Sequence, residues 1–145
     1  MRESSGGEEE TRVLDSWILL AWLKRQEPGA GIMRDLWRKA YAGRIRLVLH
    51  CVNLGEIFYL TAKLKNLDAA EMLLQRLQGM PVDVMSVSDS MVFAAARLKA
   101  QHRISYADAF AVVTAIQTGA QLVTGDPEIR DLGAQGVLEL HWAGR

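Results

Sequence analysis

Hydrophobic and polar residues alternate along this chain in blocks that predict short strands followed by helices. Residues 13–14 form the end of a predicted buried strand, and residues 15–25 are apolar on almost every face, as in a buried helix. Pro28 and Gly29 interrupt that helix, and apolar positions then recur at helical spacing over residues 32–41. The start of the chain therefore predicts one strand followed by two helices.

The rest of the chain continues this alternation. The apolar runs that predict strands cover four segments, residues 47–49, 81–87, 121–124 and 137–140. The helical repeats cover four further segments, residues 54–64, 69–77, 89–98 and 105–116. Strands that alternate with helices favour an α/β fold, in which helices flank a mainly parallel sheet of about five strands.

The length of 145 residues fits a single domain. Residues 1–11 lack apolar periodicity and predict a flexible tail, so residues 12–145 form the expected domain. Residues 17–23 are apolar but well short of the ~20 residues that span a bilayer, and no signal-peptide pattern precedes them. The single cysteine, Cys51, excludes an internal disulfide. We therefore expect a cytoplasmic protein with no membrane partner.

Four acidic residues stand where an apolar run stops and a helix is predicted to begin. They are Asp15, Glu56, Asp108 and Asp126. Ligands of parallel α/β sheets bind at the carboxyl ends of the strands, and these four positions are expected near that edge. If folding brings the carboxylates together, they form an acidic pocket of the kind that holds Mg²⁺.

Local sequence also explains each of these acids as a helix-capping residue. The capping signals are Asp15 alone, the pairs Asn53–Glu56 and Ser105–Asp108 with capping-box spacing, and Asp126 followed by Pro127. Asp108 is the most informative acid because alanines flank it in an apolar helix, where a buried carboxylate needs compensation. Clustered carboxylates repel one another unless a cation neutralises them, so capping and metal binding are compatible.

Charge is balanced overall, with 17 basic and 17 acidic residues. Residues 24–46 nevertheless contain seven basic residues and two acidic ones. This segment is either a solvated helical face or a patch that neutralises phosphates. The sequence lacks the phosphate-loop and dinucleotide motifs GxxxxGKS/T and GxGxxG and the zinc motif HExxH.

Three segments resemble the PIN domain and, within it, the VapC-type toxins of bacterial and archaeal toxin–antitoxin pairs. The segments are VLDSWILLAWL, VNLGEIFYL and RISYADAFAVVTAIQTGAQLVTGDPEI, and the resemblance extends over residues 13–140. It implies a three-layer α/β sandwich and an endoribonuclease that depends on Mg²⁺ or Mn²⁺.

By this resemblance, the four acids Asp15, Glu56, Asp108 and Asp126 are catalytic and metal-ligating. Ser16, Asn53 and Thr124 fall at supporting polar positions. Toxins of this family act as dimers and bind a cognate antitoxin. The resemblance therefore implies an RNA substrate, a second copy of the chain and an antitoxin as partners.

The sequence leaves two alternatives to a toxin ribonuclease. One is a PIN fold that serves, without toxin activity, as an RNA-binding or protein-interaction module. The other is a receiver-type phospho-acceptor domain, which the sequence disfavours because it lacks paired acids after the first strand. Trp17 departs from the family pattern, in which small polar residues are common at this position. Its ring is expected either to narrow the cleft or to pack behind it.

Overall fold

A computed structural model describes residues 10–145 of the chain. Within this range the five strands are β1 (Glu10–Leu14), β2 (Ile45–His50), β3 (Asp83–Met85), β4 (Gln121–Thr124) and β5 (Leu140–Trp142). The seven helices are α1 (Ser16–Leu23), α2 (Gly29–Tyr41), α3 (Cys51–Leu64), α4 (Leu67–Gln78), α5 (Asp89–Gln101), α6 (Tyr106–Thr118) and α7 (Pro127–Ala134). No helix in these residues is both long and apolar enough to cross a membrane.

The strands form one sheet in the order β3-β2-β1-β4-β5, and every neighbouring pair is parallel. The chain moves outward from β1 to β3 and then crosses to the other side of β1 to form β4. The strand order therefore reverses between β1 and β4, which is where open α/β sheets place their ligand sites. Leu14, the last residue of β1, pairs with Leu49 of β2 and Val123 of β4.

Alternate residues of the strands face two separate cores. Val13 of β1 packs with Phe110 of α6 and Ile129 of α7 on one face of the sheet. Leu14, its neighbour, packs with Met33 of α2 on the other face. Successive side chains of a strand point to opposite faces, so helices cover both sides. The predicted three-layer α/β sandwich is thus confirmed, and its sheet is wholly parallel.

Several predicted boundaries differ from the structure, among them those of the first and last strands. Strand β1 already includes Glu10 and Thr11, which the sequence assigned to the tail; residues 1–9 of that tail lie outside the described part. The last strand is β5 (Leu140–Trp142) and not residues 137–140. Val137 is unavailable to the sheet because its N–H donates to the carbonyl of Leu132 at 3.0 Å, which closes the end of α7.

Helix α3 begins earlier than its apolar repeat predicts. His50 is its N-cap, and its Nδ1 atom accepts the N–H of Val52 at 3.0 Å. Asn53 therefore lies inside the first turn, and Glu56 lies in the second turn. The predicted capping box from Asn53 to Glu56 is wrong, because a buried histidine three residues earlier takes the capping position.

Candidate metal centre

Asp15 follows β1 directly and caps α1, as its position in the sequence predicts. Its Oδ1 atom accepts the N–H of Ile18 at 3.1 Å. The side chain is almost completely enclosed, with 1% of its surface exposed. Its Oδ2 atom is buried and has no hydrogen-bond partner among the described residues. A buried oxygen without a partner is costly, so this atom is a candidate ligand for a cation.

The environment of Asp15 opposes its charged form. Burial raises the pKa of its carboxyl group from an ordinary value of 3.8 to about 7, and the negative charges of Asp126 and Glu56 add to this rise. The Thr124 hydroxyl, which lies near the carboxylate without an ordinary hydrogen bond to it, and the Ile18 N–H partly offset the rise in pKa. A cation beside the carboxylate would favour ionisation and reverse the effect of burial.

Asp108 lies in the first turn of α6, a helix buried on nearly all sides. Ser105 caps this helix, and its hydroxyl accepts the N–H of Asp108 at 3.1 Å. The predicted capping role of Ser105 is confirmed. The side chain of Asp108 is 8% exposed, and burial raises its pKa to about 8, with the nearby Asp126 and Asp15 carboxylates adding to the rise. Asp108 is therefore a second acid whose charge requires compensation.

Asp126 stands in the turn between β4 and α7, which Thr124 holds in place. The Thr124 hydroxyl is fully buried and accepts the N–H of Asp126 at 3.0 Å. Asp126 then caps α7 through its Oδ1 atom, which accepts the N–H of Glu128 at 3.0 Å, and Pro127 occupies the first turn. Both capping predictions for this acid are confirmed.

Glu128 joins the cluster although the sequence did not indicate it as a candidate. One carboxylate oxygen from each of Asp108, Asp126 and Glu128 lies within 4.8 Å of the other two. The signal was present in the TGDPEI segment, where Glu128 lies two residues after Asp126 in the first turn of a helix. Acids are common there because they favour the helix dipole, so the position alone does not indicate a ligand.

Glu56 reaches the same edge of the sheet from α3. The Ser16 hydroxyl, at the start of α1, donates a hydrogen bond to its Oε1 atom. Ser16 is buried, and this contact directs Glu56 towards the residue next to Asp15. The charge of Glu56 acts on Asp15, which places both carboxylates in one electrostatic environment.

Asn53 is not a cap; its side chain bonds the backbone of α6 next to Asp108. Its Nδ2 atom donates to the carbonyl oxygen of Ala107 at 3.0 Å, which links α3 to the residue before Asp108. The side chain is fully buried, and its Oδ1 atom has no hydrogen-bond partner in the described part of the chain.

The structure thus brings the predicted acids to one edge of the sheet, with different degrees of closeness. Asp108, Asp126 and Glu128 form the tightest group, and Asp15 and Glu56 extend it by electrostatic contact. Carboxylate oxygens are the ligands that Mg²⁺ and Mn²⁺ prefer. The donor set, the burial of two acids and the unpartnered Asp15 oxygen all fit a divalent cation.

The sequence matches the PIN domain family over residues 12–135. The chain belongs to the PIN domain family. No curated protein sequence matches it significantly. Because the matched region extends from within β1 to the end of α7, the whole acidic cluster lies within the PIN domain.

Solved structures share the fold of this PIN domain at low sequence identity. VapBC2 from Rickettsia felis, bound to a DNA fragment from its promoter, has a TM-score of 0.69 and 17% identity, over 92% of this chain and 98% of that one. VapC20 of Mycobacterium tuberculosis, a sarcin-ricin loop cleaving toxin, has a TM-score of 0.69 and 19% identity, over 84% and 95% of the two chains. A toxin-antitoxin complex from Klebsiella pneumoniae has a TM-score of 0.60 and 13% identity, over 81% of this chain and 89% of that one. At these identities the likeness establishes the fold.

Four of the seven basic residues in residues 24–46 of this PIN domain pair with acids. Arg34 bonds Glu27 at 2.8 Å, and Arg46 bonds Asp83 at 2.7 Å. Asp35 bonds both Arg38 and Lys39 of the same helix, at 3.0 and 3.2 Å. Arg46 also lies near the amino end of β2, at the edge of the sheet away from the acids. These contacts favour the solvated helical face over a phosphate-binding patch.

Proposed function

We propose that this PIN domain is an endoribonuclease that cleaves RNA phosphodiester bonds with Mg²⁺ or Mn²⁺, and that it acts in the cytoplasm as the toxin of a type II toxin–antitoxin pair. One observation carries the proposal. The oxygens of Asp108, Asp126 and Glu128 lie within 4.8 Å of one another at the switch point of the sheet, beside the buried carboxylate of Asp15. Such a cluster is unfavourable without a cation.

Each side chain has a defined part in this proposal. Asp15, Asp108 and Asp126 would hold the cation, with Glu56 and Glu128 completing the set or holding water. A bound divalent cation supplies charge neutralisation at the scissile phosphate and makes an attacking water more acidic. Three supporting side chains would orient the acids through hydrogen bonds. Ser16 bonds Glu56, Asn53 bonds the α6 backbone, and Thr124 accepts the N–H of Asp126.

Two features support RNA as the substrate. The acids form a carboxylate site without a histidine or cysteine in the described metal-ligand group, which suits a hard cation that contacts phosphate oxygens. VapC20, which shares this fold, is a sarcin-ricin loop cleaving toxin, and the sarcin-ricin loop is RNA.

Cleavage of RNA by the purified protein tests the proposal. We expect cleavage with added Mg²⁺ or Mn²⁺, none with EDTA, and loss of activity in Asp15→Asn and Asp108→Asn. Glu71→Gln is the matched control, because Glu71 is an exposed acid on α4 outside the cluster. Equal cleavage by the wild type and both asparagine variants would refute the assignment. Absence of both cleavage and metal binding would favour a non-enzymatic RNA-binding or interaction module.

An apolar groove supports an antitoxin partner. It has a volume of about 350 Å³ and lies between α1, α3 and α4. Leu64 and Met72 on its walls are 64% and 70% exposed, which is costly for apolar side chains in water. Its charged lining residues are Lys24, Lys65 and Arg76, so it suits an apolar segment flanked by acids.

The antitoxin proposal is tested by co-expression with the small protein encoded in the neighbouring reading frame. We expect the two to co-purify and Met72→Lys to weaken the complex while Mn²⁺ binding is retained. Tyr41→Lys is the control, because Tyr41 is also a large exposed side chain, 63% exposed, and lies at the end of α2 outside the groove. A complex that survives Met72→Lys unchanged would exclude this groove as the docking site.

Exposed aromatic residues support the homodimer that the family resemblance implies. Phe93 of α5 and Tyr106 of α6 are 60% and 41% exposed on neighbouring helices. Sedimentation equilibrium should show a wild-type dimer and a largely monomeric Phe93→Lys variant. A wild type that remains monomeric at micromolar concentration would contradict the dimer.

A further inference from the structure

The indole ring of Trp17 packs against the turn that carries Asp126. Trp17 is the second residue of α1, and its ring contacts Gly125, the residue immediately before Asp126. A Cβ atom placed on Gly125 would lie 2.2 Å from Cη2 of the ring. The ring also meets Gly29 at the start of α2, where a Cβ would lie 2.9 Å from Cζ3. The ring thus contacts both the residue before Asp126 and the start of α2.

The cavity beside Trp17 agrees with this position. Trp17 lines it with residues of the loop between α1 and α2 and of the C-terminus, which are Gln26, Glu27, Pro28, Gly144 and Arg145. None of the clustered acids lines this cavity. The indole therefore lies between the α1–α2 loop and the turn that carries Asp126.

Gly125 is a glycine for steric reasons. The glycines whose φ is positive are Gly43, Gly119 and Gly136, and Gly125 is not among them. Its backbone conformation is open to other residues, so the missing side chain is what lets the ring approach. A Cβ on Gly144 would lie 3.2 Å from the Gly125 Cα atom. The C-terminal segment therefore packs against this turn as well.

Hydrogen bonds fix the rest of the turn to the sheet. The N–H of Ala143 donates to the carbonyl oxygen of Thr124 at 2.8 Å, and the Thr124 hydroxyl accepts the N–H of Asp126. These bonds hold Asp126 relative to β4 and the C-terminal segment. Pairing of Leu14 with Val123 sets the coarse distance between this turn and α1, whose N-cap is Asp15. The Trp17 ring packs in the space that remains between α1 and Gly125.

We propose that Trp17 is a positioning residue, whose indole ring sets the separation between Asp15 and Asp126 and thereby the affinity of the acidic cluster for a divalent cation. The inference rests on the proposed metal-dependent function. Well-packed interiors transmit small displacements, because side chains interdigitate with few voids. Removal of the ring would let the Asp126 turn move towards α1 and would misplace one carboxylate relative to the other. Residues behind a metal site that orient its ligands typically change metal affinity or activity by about 10–100-fold.

The first experiment compares two tryptophans of the same helix. Mn²⁺ binding is measured by electron paramagnetic resonance in the wild type, Trp17→Ala and Trp22→Ala, alongside unfolding in urea. Trp22 is also half-buried, but its ring packs at a tilt of 58° against Trp37, with the ring centroids 5.5 Å apart. Both variants should lose stability, because both remove a packed ring. Only Trp17→Ala should weaken Mn²⁺ binding, by about 10–100-fold.

A second pair of variants tests the spacing directly and covers the case in which Trp17→Ala fails to fold. Gly125→Ala inserts a methyl group where the indole lies, so it should weaken Mn²⁺ binding. The double variant Gly125→Ala with Trp17→Leu restores the space, and it should recover part of the affinity that Gly125→Ala loses.

The outcomes separate this inference from the proposed function. If the wild type binds Mn²⁺ and Trp17→Ala binds it equally well, with a stability loss like that of Trp22→Ala, then Trp17 is a packing residue and the inference is overturned. If the double variant does not recover Mn²⁺ affinity, the proposal that the Trp17 ring sets the separation between Asp15 and Asp126 is also contradicted. If the wild type itself does not bind Mn²⁺, the proposed metal-dependent function falls, and this inference falls with it.

Discussion

The side-chain amide of Asn53 donates a hydrogen bond of 3.0 Å to the carbonyl oxygen of Ala107, and so joins α3 to the residue before Asp108. Both residues of this contact are remote in sequence, and Asn53 is fully buried. The bond holds the first turn of α6, and with it the Asp108 carboxylate, against the helix that carries Glu56. We therefore expect both the stability of the fold and the proposed metal binding to depend on this buried amide.

Asn53→Ala should lower the free energy of unfolding by about 1–3 kcal/mol, because it removes a buried hydrogen bond and leaves a cavity where the amide packs. It should also weaken Mn²⁺ binding, since the first turn of α6 is no longer held. Urea unfolding and Mn²⁺ titration measure the two effects. Asn66→Ala is the control: Asn66 caps α4 by accepting the Ala69 N–H, and its removal should cost about 1 kcal/mol without changing Mn²⁺ affinity. Equal affinity in all three proteins would show that this amide has a structural role alone.

The alternation of apolar and polar residues predicts most of this fold, because a parallel sheet buried on both faces needs continuous apolar strands separated by amphipathic helices. The predictions from this alternation are wrong where two side chains or segments compete for the same backbone group. His50 takes the cap of α3 that the Asn53 spacing indicated, and Val137 closes α7 when its residue type suits a strand. These outcomes depend on contacts that exist only after folding.

The site was predictable to the extent that strand ends define it. Asp15 and Asp126 follow strands directly, so parallel pairing of β1 and β4 brings them to one edge. Glu128 and the contact from Ser16 to Glu56 depend on the directions of side chains across separate elements. No local pattern encodes these directions, which is why the sequence did not indicate them.

The stability of the metal-free protein should fall as pH rises. The pKa values of Asp15 and Asp108 increase from 3.8 in an ordinary carboxyl group to about 7 and about 8 in the folded state. Between pH 3.8 and about 8, the folded state binds protons that the unfolded state releases, so the free energy of unfolding decreases as pH rises. The contribution is fully present below pH 3.8 and is lost as pH rises through about 7 and about 8.

Urea unfolding in EDTA at about pH 5.5 and about pH 8.5 measures this dependence. The wild type should be more stable at the lower pH, and Asp108→Asn should lose part of the difference. Burial lowers the pKa of His50, and this makes the free energy of unfolding rise with pH. Because His50 is present in both proteins, comparing wild type with Asp108→Asn isolates the contribution of the Asp108 carboxyl group. An identical pH dependence in the two proteins would contradict the raised pKa of Asp108.

Addition of Mn²⁺ should raise the midpoint of thermal unfolding, and more strongly at pH 8 than at pH 6 because ionised carboxylates bind the cation. At about 100 times its Kd, a ligand that binds only the folded state adds about 2.7 kcal/mol to the free energy of unfolding. Differential scanning calorimetry with and without Mn²⁺ measures the shift. Asp108→Asn should abolish most of it, and Glu71→Gln, on the surface of α4, should retain it. A shift that persists in Asp108→Asn would place the bound ion elsewhere.

Glu128→Gln should weaken Mn²⁺ binding and RNA cleavage while leaving the fold almost unchanged. Glu128 is exposed, and its carboxylate lies within 4.8 Å of the Asp108 and Asp126 oxygens. Replacement by glutamine keeps the side-chain length but removes one negative charge from the cluster. Because Glu128 is in the first turn of α7, the lost helix-dipole interaction should cost at most about 1 kcal/mol.

Asp131→Asn is the matched control for this change, because Asp131 is an exposed acid on the same helix but outside the group of three. Mn²⁺ titration and cleavage of RNA under saturating Mn²⁺ are measured in both variants and the wild type. If Glu128 holds water or the cation, only Glu128→Gln loses affinity, and excess Mn²⁺ recovers part of its cleavage rate. Equal effects of the two variants would reduce Glu128 to a general contribution of negative charge at the start of α7, and the site would then consist of the four acids that the sequence indicated.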